Sequence, residues 1–155
     1  MHNKFNKSIY VIAEAGINHN SDIEIAKKMI EEASKCGANA IKFQTFTADE
    51  LFSETINPKL YNLAKTWVLT KNDHIELQKY AKKNKIDFFS TTCGFKSARL
   101  LENLNVPFIK IASGEITNHD LISFIAKMKI PMLVSTGMTT ISEIANIVSL
   151  IQNHN

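Results

Sequence analysis

An α/β fold built on a parallel sheet is predicted by three features of this 155-residue sequence. Runs of β-branched and aromatic residues alternate with helical patterns, each helical pattern carries an apolar face, and glycines gather where the strand runs end. Strand, helix, strand, repeated, makes neighbouring strands parallel, because each crossover returns the chain to the same end of the sheet.

The strand runs are residues 10–16, 40–46, 87–92, 108–113 and 132–137, all of buried-strand length and type. Between them, Ala26, Met29, Ile30 and Ala33 recur at helical spacing, Leu77, Tyr80 and Ala81 begin the same series, and Ile141, Ile144, Ala145 and Val148 complete it. Helix starts are read at Ser21 with Glu24, Asp73 with Glu76 and Thr140 with Glu143, where a capping oxygen precedes a carboxylate by three residues. Gly37 is placed as the residue just past the first helix, and Pro107 and Pro131 stand ahead of the fourth and fifth strands, where a helix must already have ended. Residues 47–72 break the rhythm with Pro58 and an apolar cluster around Tyr61 and Trp67, read as an inserted helix that caps the sheet rather than as a lid. Residues 1–8 are a polar N-terminal end, 9–151 one domain, and 152–155 a polar C-terminal end.

Gly16, Gly94, Gly114 and Gly137 fall at the C-terminal ends of strands, the rim where parallel α/β folds bind ligands. The same rim carries Ser90-Thr91-Thr92, Ser113-Gly114-Glu115 and Ser135-Thr136-Gly137, hydroxyls and amides suited to an oxyanion. Alternation puts Lys42, Gln44 and Phe46 on one face of the second strand, with Ile41 and Phe43 on the other. Glu14, Thr91 and Lys110 fall on the polar side of their own strands. An open sheet covered by helices on both faces would bury two strand lysines at a cost of several kcal/mol each unless they are paired, whereas a barrel interior opens at the strand ends and avoids that cost. A single strand lysine tilts out along its alkyl stem as readily as it points in. Two on non-adjacent strands favour an anion between them, or Glu14 neutralising one.

Several function classes lose support. Eighteen Lys plus Arg against fifteen Asp plus Glu leave only +3, spread along the chain, which argues against nucleic acid as a partner. The first apolar run, residues 9–13, is too short for a membrane span or signal-peptide core, so no membrane partner and a cytoplasmic location are expected. Cys36 and Cys93 lack CxxC spacing and are read as free thiols; Cys93 near the rim is a weak nucleophile candidate with no evident histidine partner. The five histidines show no HxH, HxxxH or HExxH spacing, and GxGxxG, GxxxxGK[ST] and GxSxG are absent. No metal ligands are assigned.

Taken together, Ile12-Ala13-Glu14-Ala15-Gly16-Ile17-Asn18-His19-Asn20, Ile41-Lys42-Phe43-Gln44-Thr45, Phe89-Ser90-Thr91, Lys110-Ile111-Ala112-Ser113-Gly114-Glu115 and Leu133-Val134-Ser135-Thr136-Gly137-Met138 resemble, in order, the sialic acid synthase family. The resemblance implies a condensation of phosphoenolpyruvate with an N-acetylated amino sugar (an N-acetylhexosamine) to give a nine-carbon 2-keto acid. It implies a TIM barrel, a homodimer and a divalent metal, Mn2+ or Mg2+, whose histidine ligands belong to barrel units not found in this chain. By the same resemblance Lys42, Thr91, Lys110, Ser113 and Ser135 hold the phosphate and carboxylate of phosphoenolpyruvate. Gln44, Glu14 and Glu115 face the sugar and the reacting carbons, with Glu115 the general base and Glu14 at the aldehyde.

The sequence departs from that family at Thr92-Cys93-Gly94, where Pro-Phe commonly follows the Ser-Thr pair. A TIM barrel also needs eight βα units in roughly 250 residues. The expectation is therefore a partial TIM (β/α) barrel of five βα units, strands in order 1-2-3-4-5, truncated and inactive alone. A flavodoxin-like anion-binding module with order 2-1-3-4-5 is the competing fold, and a half-barrel subunit completed by another chain is a third reading.

Overall fold

The computed structural model describes residues 9–154; the polar N-terminal end assigned to residues 1–8 lies outside them, as does Asn155. Five strands, β1 (Ile12–Gly16), β2 (Ala40–Thr45), β3 (Asp87–Thr92), β4 (Ile109–Ile111) and β5 (Met132–Val134), form one parallel sheet in the order β1-β2-β3-β4-β5. That order is the barrel's. It rules out the flavodoxin-like arrangement, in which the first strand would lie between the second and third.

The helices are α1 (Ile23–Lys35), α2 (Ala48–Leu51), α3 (Pro58–Lys65), α4 (Lys71–Lys83), α5 (Phe95–Asn103), α6 (His119–Ala126) and α7 (Ile141–Gln152), with a 3-10 turn at Ser113–Glu115. Gln152, placed in the polar end, closes the last helix. Two predicted caps are corrected. Asp22, not Ser21, caps α1, its carboxylate accepting from the amides of Glu24 and Ile25, while the Ser21 hydroxyl donates to the carbonyls of Thr66 and Val68. Helix α4 starts three residues early, capped by Thr70 with Asp73 as its reciprocal partner, so Glu76 is free to pair with Lys27 of α1. Both misreadings come from two capping oxygens lying within three residues of each other, a choice that loop geometry decides. The Thr140–Glu143 box stands as expected, and Gly37 follows the end of α1 with φ +81°, a left-handed turn that glycine adopts without strain.

Alternation along each strand divides the sheet into two faces. Ile41, Phe43, Phe88, Ile109 and Ile111 pack outward beneath α1, α4, α5 and α6 against Ile30, Leu77, Leu101 and Leu121, all buried. Each such side chain contributes about 1.5–3 kcal/mol on leaving water, so this layer holds the fold. The concave face is different. Register sets Glu14 beside Lys42 and Lys42 beside Phe89; one step further along, Gln44, Thr91, Lys110 and Leu133 lie side by side. Toward the N-terminal ends of the strands Tyr10, Phe108 and Phe89 stack edge to face, with centroids 6.0 Å and 5.7 Å apart, and floor the concave side with apolar rings.

The segment after β2 makes its own small core. Phe46, Ala48, Tyr61 and Ala64 are buried together, with Ile17, Leu51, Phe52, Trp67, Val68 and Cys93 packed around them. Of the apolar cluster noted in the sequence, Tyr61 joins this satellite core and Leu69 the main one, while Leu60 and Leu63 remain exposed. Helices α2 and α3 therefore cap the strand ends of β1 to β3, the structural role expected of the insertion.

Candidate active site

The C-terminal ends of the strands open into one cleft of about 470 Å³, lined by Glu14, Lys42, Gln44, Thr91, Lys110, Ser113 and Ser135 together with Gly16, Ile17, Asn18 and Ala112. Seven of the eight residues singled out from the sequence thus meet on one surface. Glu115 does not line it. The 3-10 turn carries it to the rim, where its carboxylate accepts a 3.0 Å bond from the Asn118 amide.

The two lysines both point inward, yet their partners differ. Lys42 Nζ donates to Thr91 Oγ1 at 2.7 Å and pairs with Glu14 Oε2 at 2.9 Å, and its side chain is only 9% exposed against 56% for Glu14. A pair with one half-exposed member contributes at most about 1 kcal/mol of stability, so its consequence is orientation: the ammonium is fixed between strands. Lys110 Nζ donates to the Ile111 carbonyl at 2.7 Å and to Ser135 Oγ, both uncharged acceptors. Burial, and then the Lys42 charge, holds the Lys110 amine below the usual lysine range, with Glu14 acting the other way. Two cations above an apolar floor with a single carboxylate between them leave the cleft short of negative charge.

Local backbone makes room for these groups. Gly16 has φ +58° beside a bulge in β1, and a β-carbon there would stand 3.3 Å from Glu14 Oε1. Gly94 has extended backbone and no strain, but a β-carbon there would lie 2.4 Å from Glu50. Glu50 Oε1 accepts from the amides of Lys96 (2.8 Å) and Ser97 (3.1 Å), while Oε2 accepts from Thr47 N (2.9 Å). The carboxylate of α2 thereby caps α5 and ties the insertion to the end of β3. This clasp was missed in the sequence; its visible trace is the Thr47-x-x-Glu50 spacing, and Cys93-Gly94 is the departure that admits it.

The hydroxyl triplet at residues 90–92 divides. Only Thr91 faces the cleft; Ser90 and Thr92 are buried on the helical side, bonded to Thr45 and Ser97. His74, in the first turn of α4, is buried, its Nδ1 bonded to the Thr70 carbonyl and its Nε2 to Thr45 Oγ1, both at 2.8 Å. His19 is buried too; its Nδ1 accepts from Ser21 N and its Nε2 meets no hydrogen-bond partner among the described residues. Burial, then Glu115 and Glu50, push the Cys93 thiol up to about 11, which weighs against a nucleophilic role. Among the described residues no three His, Cys, Asp or Glu side chains converge as a metal site, so these residues do not fit the implied divalent metal.

The NeuB family model matches residues 29–155. This chain belongs to the NeuB family. The chain is 37% identical over 147 residues to the N,N'-diacetyllegionaminic acid synthase of Legionella pneumophila, covering 87% of this chain and 41% of that protein. It is 38% identical over 152 residues to the N-acetylneuraminate-9-phosphate synthase of Drosophila melanogaster, covering 91% of this chain and 41% of that one. The N-acetylneuraminic acid synthetase of Leptospira borgpetersenii, solved with citrate, superposes with a TM-score of 0.90 at 35% identity over 96% of this chain and 52% of its own. This NeuB-family chain thus spans about two fifths of the length of these curated relatives. A truncated 3-deoxy-D-arabino-heptulosonate 7-phosphate synthase from Thermotoga maritima, at 16% identity and a TM-score of 0.70, shares the fold alone. The neighbours are TIM-barrel-like synthases, and the five-stranded sheet is the matching portion of such a barrel.

Proposed function

We propose that this cleft is the phosphoenolpyruvate site of a nonulosonic acid synthase, which condenses phosphoenolpyruvate with an N-acetylated amino sugar to give a nine-carbon 2-keto acid. The observation that carries the reading is the convergence of the Lys42 and Lys110 amines with the hydroxyls of Thr91, Ser113 and Ser135 in one cleft. A phosphorylated carboxylic acid carries two anionic groups, and two cations on non-adjacent strands match that pattern. Family membership and relatives named as sialic, legionaminic and pseudaminic acid synthases support the reaction class.

In the proposed reaction C3 of phosphoenolpyruvate attacks the open-chain sugar's aldehyde, C2 becomes oxocarbenium-like, water adds there, and phosphate leaves with C–O cleavage. Lys42 and Lys110 hold the anionic groups throughout. Glu14 lines the cleft beside them and is placed to stabilise positive charge at C2 or to pass a proton at the aldehyde. Glu115, at the rim, is the proposed base for the incoming water. Gln44 faces the sugar. Further βα units complete the barrel wall and supply the metal ligands, so turnover requires more than the five units of this chain. The working enzyme is proposed to be a cytoplasmic homodimer; among the described residues no helix is long and apolar enough to cross a membrane.

Calorimetric titration with phosphoenolpyruvate tests the reading. Saturable binding that weakens about ten-fold or more in Lys42→Met and in Lys110→Met is expected; no binding, or binding indifferent to both, contradicts it. Synthase turnover by this chain alone would contradict the requirement for further units.

A further inference from the structure

We propose that Lys110 is a carbonyl-reactive amine that forms a reversible imine with a 2-keto acid bound in the cleft, while Lys42 anchors the acid's carboxylate. The inference rests on the proposed function for its ligand class, since a 2-keto acid is that reaction's product type, and it adds a covalent chemistry which the condensation does not use.

The contrast between the two lysines carries it. Lys42 is paired with the Glu14 carboxylate 2.9 Å away. Lys110 has two acceptors, the Ile111 carbonyl and Ser135 Oγ, both neutral, and among the described residues no carboxylate stands within ion-pairing distance of it. Two acceptors satisfy the two N–H bonds of a neutral amine and leave the third tetrahedral position, the lone pair, for the cleft that Lys110 lines. A cationic neighbour and an apolar floor both favour that neutral form. Thr91 is the register partner of Lys110 and also holds Lys42 at 2.7 Å. A carboxylate seated on Thr91 and Lys42 therefore puts the adjacent carbonyl carbon beside the Lys110 amine.

The step balances without an oxidant. The Lys110 ammonium gives one proton to solvent, the amine lone pair attacks C2, and the carbinolamine loses water as C=N forms. Borohydride then delivers hydride to the imine carbon and fixes the adduct as a secondary amine.

The test is incubation of this chain with pyruvate, the simplest 2-keto acid, followed by borohydride reduction and peptide mapping by mass spectrometry. Labelling concentrated on Lys110, about ten-fold above any other lysine, lost in Lys110→Arg and suppressed by phosphoenolpyruvate, is expected. Circular dichroism checks that the variant is folded. Labelling on Lys42, labelling spread over the exposed lysines, or no labelling overturns the proposal. Phosphoenolpyruvate binding without pyruvate trapping sinks the imine and leaves the proposed function standing; trapping at Lys110 without phosphoenolpyruvate binding does the reverse.

Discussion

The two faces of β2 and β3 carry similar side chains and put them to opposite uses. On the helical face Thr45, Ser90 and His74 are buried and bonded to one another: His74 Nδ1 meets the Thr70 carbonyl and its Nε2 meets Thr45 Oγ1, Thr45 donates to Ser90, and Ser90 donates to the Thr91 carbonyl. Every strong donor is used within the protein. On the concave face Lys42, Thr91 and Lys110 are also largely enclosed, yet they border an open cleft and carry more positive charge than Glu14 balances. Polar groups that saturate each other build structure; groups left with excess charge at an opening are available to a ligand, the use proposed for this face. Residue type does not separate these roles, whereas facing does.

The sharpest break of that comparison is His74→Ala. It opens a cavity and leaves the Thr45 hydroxyl and the Thr70 carbonyl each short of a partner, so a loss of about 3 kcal/mol in urea unfolding is expected, with phosphoenolpyruvate affinity of the folded fraction unchanged. Lys42→Met should do the converse. Because Glu14 is half-exposed and stays hydrated, stability moves little, while anion affinity falls by about 2 kcal/mol by calorimetry. Gly94→Ala crosses the divide: its β-carbon displaces Glu50, and the freed amides at the start of α5 should cost about 1 kcal/mol, read with faster hydrogen exchange at Lys96 and Ser97.

The two faces also answer pH in opposite directions. Burial holds both His19 and His74 below the ordinary imidazole value of 6.5. Below that value the unfolded chain takes up protons that the native state refuses, so stability falls as the solution is acidified from 6.5 downward. Lys110, held low, must be protonated to contribute charge. Anion affinity therefore fades on the alkaline side, at lower pH than an exposed lysine would allow, and a calorimetric pH series from neutral upward checks it. The smallest effect is expected at Cys93. Cys93→Ser should leave anion binding untouched, and the partly buried thiol, pushed up to about 11, should alkylate far more slowly than exposed Cys36.

Much of this was legible in the order of residues along the chain. Alternation around Lys42 and Lys110 fixed which face they share, and the rhythm of strands and helices fixed the parallel sheet, because both depend on local periodicity alone. The Glu50 clasp, the burial of His74 and the partition of Ser90-Thr91-Thr92 depend on contacts between residues tens of positions apart. Where Thr70 competed with Asp73, and Asp22 with Ser21, local pattern offered two equal caps and tertiary packing chose between them. Glu115 was given its role by resemblance alone; that a 3-10 turn sets its carboxylate at the rim against Asn118 depends on the loop and had no local signal.

The central claim is that both strand lysines serve one anionic ligand. Nuclear magnetic resonance of the chain with 13C-labelled lysine side chains, titrated with phosphoenolpyruvate, reads it directly. The account predicts that the Lys42 and Lys110 ε-carbon signals move together along one saturation curve while those of exposed Lys79 and Lys82 stay still. Movement of only one of the pair, or two curves with separate midpoints, would contradict it.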